Sequence, residues 1–220
     1  MKRLFFVGIL SILFVGASFA QFRIGVTAGL NASRMVGSGG GESEHTDFKA
    51  GFQAGVVADL GITENFSIMP ELLFSQRGGK GKDVWEEEGI NVDVTQSITL
   101  NYIQLPVNVA YKFNMGYGSK LFIFAGPYVG YGLSGKIKVK GEYGNVNASE
   151  STDIKFGSAK DDEYAYMKGL DFGLNAGVGY QYENIFFKLQ YNHGLGNLND
   201  DSNYSLKNQN VAFSVGYYFY

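Results

Sequence analysis

Residues able to do chemistry are few in this chain, and their spacing is poor for catalysis. It has two histidines, His45 and His193, and no cysteine. A nucleophilic hydrolase needs a serine or cysteine beside a histidine that an acid orients, all converging on one rim. His193 is followed by Gly194-Leu195-Gly196, which offers neither partner, and there is no Gly-x-Ser-x-Gly turn and no nucleotide-binding loop. Two stretches are rich in oxygen ligands: Asp161-Asp162-Glu163, and Asp200-Asp201 with Asn197, Asn199 and Asn203. Neither has the ligand spacing of a defined Ca²⁺ loop, and both read better as water-facing loops. We therefore expect no catalytic residue, no cofactor and no metal site.

A second set of charges is more informative because each interrupts a regular pattern. Arg23, Lys112 and Lys188 face Asp59, Glu71 and Asp171 in number, three against three, and all six occupy the small, polar parity of alternating stretches. Counted along their stretches, Arg23, Asp59, Lys112 and Lys188 fall near one end, Glu71 at mid-height and Asp171 near the other. Isolated charges in a low-dielectric interior are costly, so these should pair in an internal polar network. Glu71 is the expected central acid of the lower cluster, with Lys112 as its tested partner. Such a network is either a proton or ion path or a packed polar core, and the packed core is the better fit to a narrow barrel.

The elements that carry these charges are strands. Alternation over about ten residues recurs eight times, near 22–31, 48–60, 66–75, 103–113, 121–134, 170–182, 185–192 and 211–220. In the first, Phe22, Ile24, Val26, Ala28 and Leu30 oppose Arg23, Gly25, Thr27, Gly29 and Asn31. In the last, Val211, Phe213, Val215, Tyr217 and Phe219 oppose Ala212, Ser214 and Gly216. Ten residues is the length a tilted strand needs to cross a bilayer, and no segment after residue 20 has the ~18 consecutive apolar residues of a membrane helix. The composition agrees, with 31 Gly, 18 Phe and 15 Tyr against one Trp and three Pro.

Connections alternate in length. Short links lie near 61–65, 114–119 and 183–184; long ones run near 32–47, 77–97, 135–168 and 194–209. Short turns at one end and long loops at the other are the asymmetry of an outer-membrane barrel. In the third loop the alternation Lys136-Ile137-Lys138-Val139-Lys140 predicts that the fifth and sixth strands continue past the membrane as a hairpin. The apolar face could be the inside of a soluble barrel or the outside of a membrane one. Its opposite is Gly, Ser, Thr and Asn with isolated charges, which suits a crowded lumen and not a water-facing wall. Aromatic residues fall at both ends, Phe22, Phe66, Phe113, Tyr182 and Tyr217 to Tyr220 at the turn end and Phe48, Phe74, Tyr131, Phe172 and Tyr191 at the loop end, as two interfacial girdles would.

Residues 1–20 read as a separate segment. Lys2 and Arg3 precede an apolar run from Leu4 to Val15, and Ala17-Ser18-Phe19-Ala20 offers a cleavage site, so we expect a secretory signal peptide cut after Ala20 and one barrel domain over residues 21–220. The rival, a membrane anchor, needs a longer apolar run. Removing Lys2 and Arg3 takes the formal charge from −3 to −5, which gives no basis for a nucleic-acid partner. Charge collects in expected loops at Trp85-Glu86-Glu87-Glu88, Asp161-Asp162-Glu163 and Asp200-Asp201.

Gly29-Leu30-Asn31-Ala32-Ser33, Tyr102-Ile103-Gln104-Leu105-Pro106-Val107 and Ala125-Gly126-Pro127-Tyr128 resemble the PorT-like outer-membrane β-barrel proteins of the Bacteroidota. So do Asp171-Phe172-Gly173-Leu174-Asn175-Ala176-Gly177-Val178-Gly179, Tyr191-Asn192-His193-Gly194-Leu195 and Gly216-Tyr217-Tyr218-Phe219. The resemblance spans residues 21–220 and is specific for the barrel, not for an activity. It implies an all-β, eight-stranded antiparallel up-and-down barrel in the outer membrane of a Gram-negative bacterium, with Phe219 and Tyr220 as the signal read by the outer-membrane assembly machinery. The expected function is that of a non-enzymatic, monomeric structural or interaction protein of the cell envelope, with a filled polar lumen and acidic outer loops. Its expected partners are outer-membrane lipid and lipopolysaccharide, the assembly machinery and an envelope protein. The alternative is a narrow channel or a component of a secretion machine; a barrel enzyme acting on lipid is the weakest reading.

Overall fold

Alternating sequence becomes alternating exposure. The computed structural model describes residues 21–40, 42–87, 90–143, 146–157, 165–199 and 204–219. Among these residues the elements are all strands: β1 (Gln21–Gly39), β2 (Glu42–His45), β3 (Lys49–Gly61), β4 (Phe66–Glu87), β5 (Ile90–Gly116), β6 (Ser119–Tyr143), β7 (Val146–Phe156), β8 (Ala165–Met167), β9 (Leu170–Tyr182), β10 (Ile185–Gly194) and β11 (Ser205–Tyr218). Eight form one closed antiparallel wall in the order β5-β4-β3-β1-β11-β10-β9-β6, and β6 returns to pair with β5. The ring includes the seam between β1 and β11, in register from Gly25 against Tyr218 to Ser38 against Ser205. That seam leaves the ring no free strand edge, which a lipid environment requires.

The apolar parity points outward. Phe22, Leu30, Phe52, Val109, Leu174 and Phe213 are all exposed, while their strand neighbours Thr27, Asn31, Gln53, Asn108, Asn175 and Ser214 are buried. This is the reverse of a soluble fold, and it makes the polar face the interior. Both expected aromatic rings have members on the outside, with Phe22, Phe66, Phe113, Tyr182, Tyr217 and Phe219 at one end and Phe48, Tyr131, Phe172 and Tyr191 at the other. Tyr218 departs from that expectation: it is 1% exposed and points into the lumen, because it shares parity with Gly216 and Ser214. Tyr220 and the expected signal peptide lie outside the described residues.

Three of the four expected long loops are largely strand instead, and in the first, residues 32–47, β1 runs on to Gly39 and pairs back with β2. Residues 77–97 continue β4 and β5 as a ladder from Arg77 against Leu100 to Glu87 against Ile90. β4, β5 and β6 have 22, 27 and 25 residues, far beyond the ten or so a membrane crossing needs, so they rise past the barrel as a protruding sheet. The extension of β6 pairs with β7, from Gly135 against Ile154 to Tyr143 against Val146, and β8 adds in parallel to β7. The expected hairpin between the fifth and sixth barrel strands is therefore corrected: β6 folds back on β7, and β9 joins β6 only up to Tyr131. At the turn end, Gly116, Tyr117 and Gly118 have φ of 79°, 51° and 76°, a conformation glycine adopts at little cost and which makes the tight reversal into β6 possible.

Candidate functional site: the barrel lumen

The lumen is layered, and the layers follow from which residues sit at equal height on neighbouring strands. At the turn end, Arg23 on β1 and Asp59 on β3 are register partners and form an ion pair. Lys112 on β5 donates to Asp59 Oδ1 and Oδ2 at 2.6 and 2.5 Å. Arg23 also donates to Gln181 Oε1 at 3.0 Å, and its guanidinium lies 4.4 Å from the centre of the Tyr218 ring. One carboxylate thus serves two cations, and four strands are tied together at the base. Asp59 and Lys112 are both buried, so this is a desolvated network and not a surface pair.

Directly above lies an apolar layer of Val57, Met69, Ala110, Phe122, Phe124, Phe186 and Tyr218. They come from β3, β4, β5, β6, β10 and β11, so the cluster crosses the lumen and does not merely line one side. Glycines on adjoining strands make room for the rings. A Cβ at Gly179 would overlap Phe122, one at Gly177 would overlap Phe124, and one at Gly216 would overlap Phe186; each phenylalanine is the register partner of its glycine. Phe186 also stacks at 4.7 Å on Tyr218.

In contact with this layer, Lys188 Nζ meets Glu71 Oε1 at 2.5 Å, with side chains 1% and 0% exposed. Phe124 and Phe186 hold the ammonium between them, each ring centre 5.7 Å away. Glu71 is therefore the partner of Lys188. The expected pairing of Glu71 with Lys112 is corrected, because the stagger of the barrel brings β4 and β10 to the same height here and leaves Lys112 one layer lower.

At the loop end Asp171 is met by Arg77 Nη1 at 3.6 Å and by Asn208 Nδ2 at 3.1 Å, and Tyr128 Oη donates weakly to it at 3.4 Å. Arg77 Nη2 donates to Gln104 Oε1 at 2.6 Å and Arg77 Nε to Ser75 Oγ at 3.2 Å. Sequence reading assigned Arg77 to a loop and so missed it; the missed signal is that Leu73, Ser75 and Arg77 continue the luminal parity of β4. With Arg77 included, the described lumen holds four cations against three carboxylates. A second apolar cluster caps this level: Met35, Leu100, Tyr102, Ile154, Met167 and Leu198. Ile154 and Met167 come from β7 and β8, and Leu198 from the link between β10 and β11, so segments beyond the barrel fold back over its mouth.

The remaining candidates do not join a site. His45 lies in β2 and His193 near the end of β10, where His193 Nδ1 contacts Tyr191 Oη at 3.4 Å. Of the two oxygen-rich stretches, Asp161-Asp162-Glu163, Asp200-Asp201 and Asn203 lie outside the described residues. Among the described residues no group of three or more His, Asp or Glu is placed to hold a metal ion.

A closed, outward-apolar ring of antiparallel strands around a side-chain-filled lumen defines a transmembrane β-barrel. The chain belongs to the family of the outer membrane protein beta-barrel domain, which it matches over residues 19–200, and it resides in the outer membrane of a Gram-negative bacterium. Among solved structures it is similar to Ail, the attachment invasion locus protein of Yersinia pestis, at 14% identity and TM-score 0.40, covering 90% of this chain and 99% of that one. It is also similar to Neisserial surface protein A at 12% identity and TM-score 0.39, with coverages of 89% and 96%. A third is the outer membrane protease OmpT from Escherichia coli, at 12% identity and TM-score 0.45, with coverages of 92% and 98%. No curated protein sequence matches the chain.

Proposed function

We propose that the protein is a closed, non-enzymatic barrel that acts as a structural or interaction protein of the cell envelope. The observation that supports this is the double closure of the lumen, by the Phe122–Phe124–Phe186 layer below and the Leu100–Met167–Leu198 cap above. Among the described residues each luminal carboxylate is already engaged by a cation, Asp59 by Arg23 and Lys112 below the aromatic layer, Glu71 by Lys188 and Asp171 by Arg77 above it, which leaves no free luminal acid poised as a catalytic base. Purified full-length protein in a planar bilayer should give no steady single-channel current; a reproducible conductance would sink this reading.

One observation favours the alternative of a narrow conduit or secretion component. The side-chain amides of Asn108, Asn175 and Asn210 are buried and form no hydrogen bond within the protein, and polar layers of this kind commonly host water. The apolar layers on either side make the closed reading the stronger one.

The finer family reading, a PorT-like barrel of the Bacteroidota with a signal peptide over residues 1–20, rests on the motifs quoted above. Within it, Phe219 and Tyr220 form the assembly signal. The Phe219 amide bonds to the Ile24 carbonyl at 2.8 Å and its ring faces outward, so the seam with β1 extends to Phe219. Deleting Phe219 and Tyr220 should abolish insertion in cells, read as loss of the heat-modifiable band from outer-membrane fractions. Normal, heat-modifiable protein from that truncation would remove this role.

A further inference from the structure

The protruding sheet carries a patterned surface that the lumen does not explain. Residues paired directly across a ladder point to one side of it, so the register defines a face. Lys80, Ser97, Lys138 and Ser151 make one row, and Lys82, Thr95, Lys140 and Ser149 the next. One row closer to the membrane, Lys136 pairs with Thr99 and Asp153. Lys49 reaches the same face, its Nζ 3.2 Å from Ser97 Oγ. Carboxylates stand at the margins: Asp153 on Lys136 at 3.4 Å, Asp93 on Lys82 at 3.2 Å, Asp47 beside Lys80 and Glu142 beyond Lys140. Lys138 and Lys140, both exposed, are flanked on either side by hydroxyls.

This face continues the lipid-facing wall. Tyr131 and Leu133 are exposed on the outside of β6, and the bulge between the register pairs Asn101–Ser134 and Tyr102–Gly132 shifts the outward parity from odd to even. Lys136 therefore follows Leu133 on the same wall, and a groove of about 870 Å³ runs from Tyr131 and Leu133 to Lys136 and Asp153. Apolar residues meet lysines where acyl chains give way to headgroups. A chain of formal charge −3 thus carries five register-aligned lysines on the outward wall of β4 and β6 just beyond its lipid-facing residues.

We propose that this face binds the phosphate groups of the outer-leaflet lipid. The lysines act as point charges for phosphate and the Ser and Thr hydroxyls complete its hydrogen bonds, while the Tyr131–Leu133 end of the groove lies against the acyl chains. The proposal is independent of whether the lumen conducts. It predicts that full-length protein, reconstituted in phosphatidylcholine nanodiscs doped with bis-phosphorylated lipid A, retains that lipid in native mass spectra. Each lysine near an anionic lipid surface contributes about fivefold in affinity, so Lys138→Gln/Lys140→Gln should weaken retention by at least about tenfold, and 0.5 M salt should do the same in the unaltered protein. Heat-modifiable migration checks that the variant is folded; if it is not, the salt arm and a dephosphorylated lipid A arm on the unaltered protein carry the test. Equal retention of dephosphorylated lipid A, or undiminished retention by the folded variant, would overturn the proposal. Equally tight binding of soluble polyphosphate in discs without lipid A would assign the face to soluble polyanions and overturn the lipid source.

Discussion

Replacing Lys188 by methionine should cost the barrel roughly 3–5 kcal/mol, the range for breaking a buried ion pair and stranding its partner. The Glu71 side chain has no exposed surface and, among the described residues, one cationic partner, Lys188, and its second carboxylate oxygen, Oε2, is buried without a hydrogen bond to them. The loss would be read from urea unfolding in lipid vesicles. Adding Glu71→Gln to Lys188→Met should recover part of it, giving a coupling above about 1 kcal/mol in a double-mutant cycle. The same cycle between Glu71 and Lys112 should be additive within about 0.5 kcal/mol, since Lys112 is committed to Asp59. Coupling of Glu71 to Lys112 larger than to Lys188 would show that the two layers are wrongly assigned.

Phe124→Ala should be of similar size, about 3–5 kcal/mol, the range for emptying a packed aromatic site. The Phe124 ring fills the space that Gly177 leaves on β9 and flanks Lys188, and neighbouring backbone in a closed ladder cannot collapse to refill it. Phe124→Leu, which keeps most of the volume, should lose less than about 1.5 kcal/mol. Gly177→Val attacks the same contact from the other side: its branched side chain would overlap the ring and should slow or prevent folding, read as unfolded, heat-unmodifiable protein after dilution from urea into vesicles. A Phe124→Ala barrel as stable as the parent would mean the aromatic layer is not a packed plug.

Much of the fold was legible because its cause is local. Period-2 alternation reports which side chains share a face, and the mismatch between a greasy face and one of Gly, Ser and Asn reports which side is lipid. Those two facts give eight strands, their orientation and the pairing of β1 with β11. They also placed Arg23, Asp59, Glu71, Lys112, Asp171 and Lys188 on the luminal parity, where all six are found with buried or half-buried side chains. The aromatic layer was missed for a specific reason. Leu121-Phe122-Ile123-Phe124 is apolar on both parities, the mark of a strand covered on both faces, and only the luminal half of that run is Phe122 and Phe124.

By itself, then, the sequence determined the parity of every barrel strand, and with it the barrel and its inside-out polarity, since parity depends only on neighbours along the chain. Which luminal groups meet was decided by the tertiary structure alone. The stagger between strands sets their relative heights, and it is stagger that gives Glu71 to Lys188, Asp59 to Lys112 and Asp171 to Arg77. The same holds at the loop end, where one bulge in β6 turns Lys136, Lys138 and Lys140 onto the outer wall. A one-residue change of register moves every side chain to the other face, and nothing in the local pattern of Lys136 to Lys140 says where that change falls.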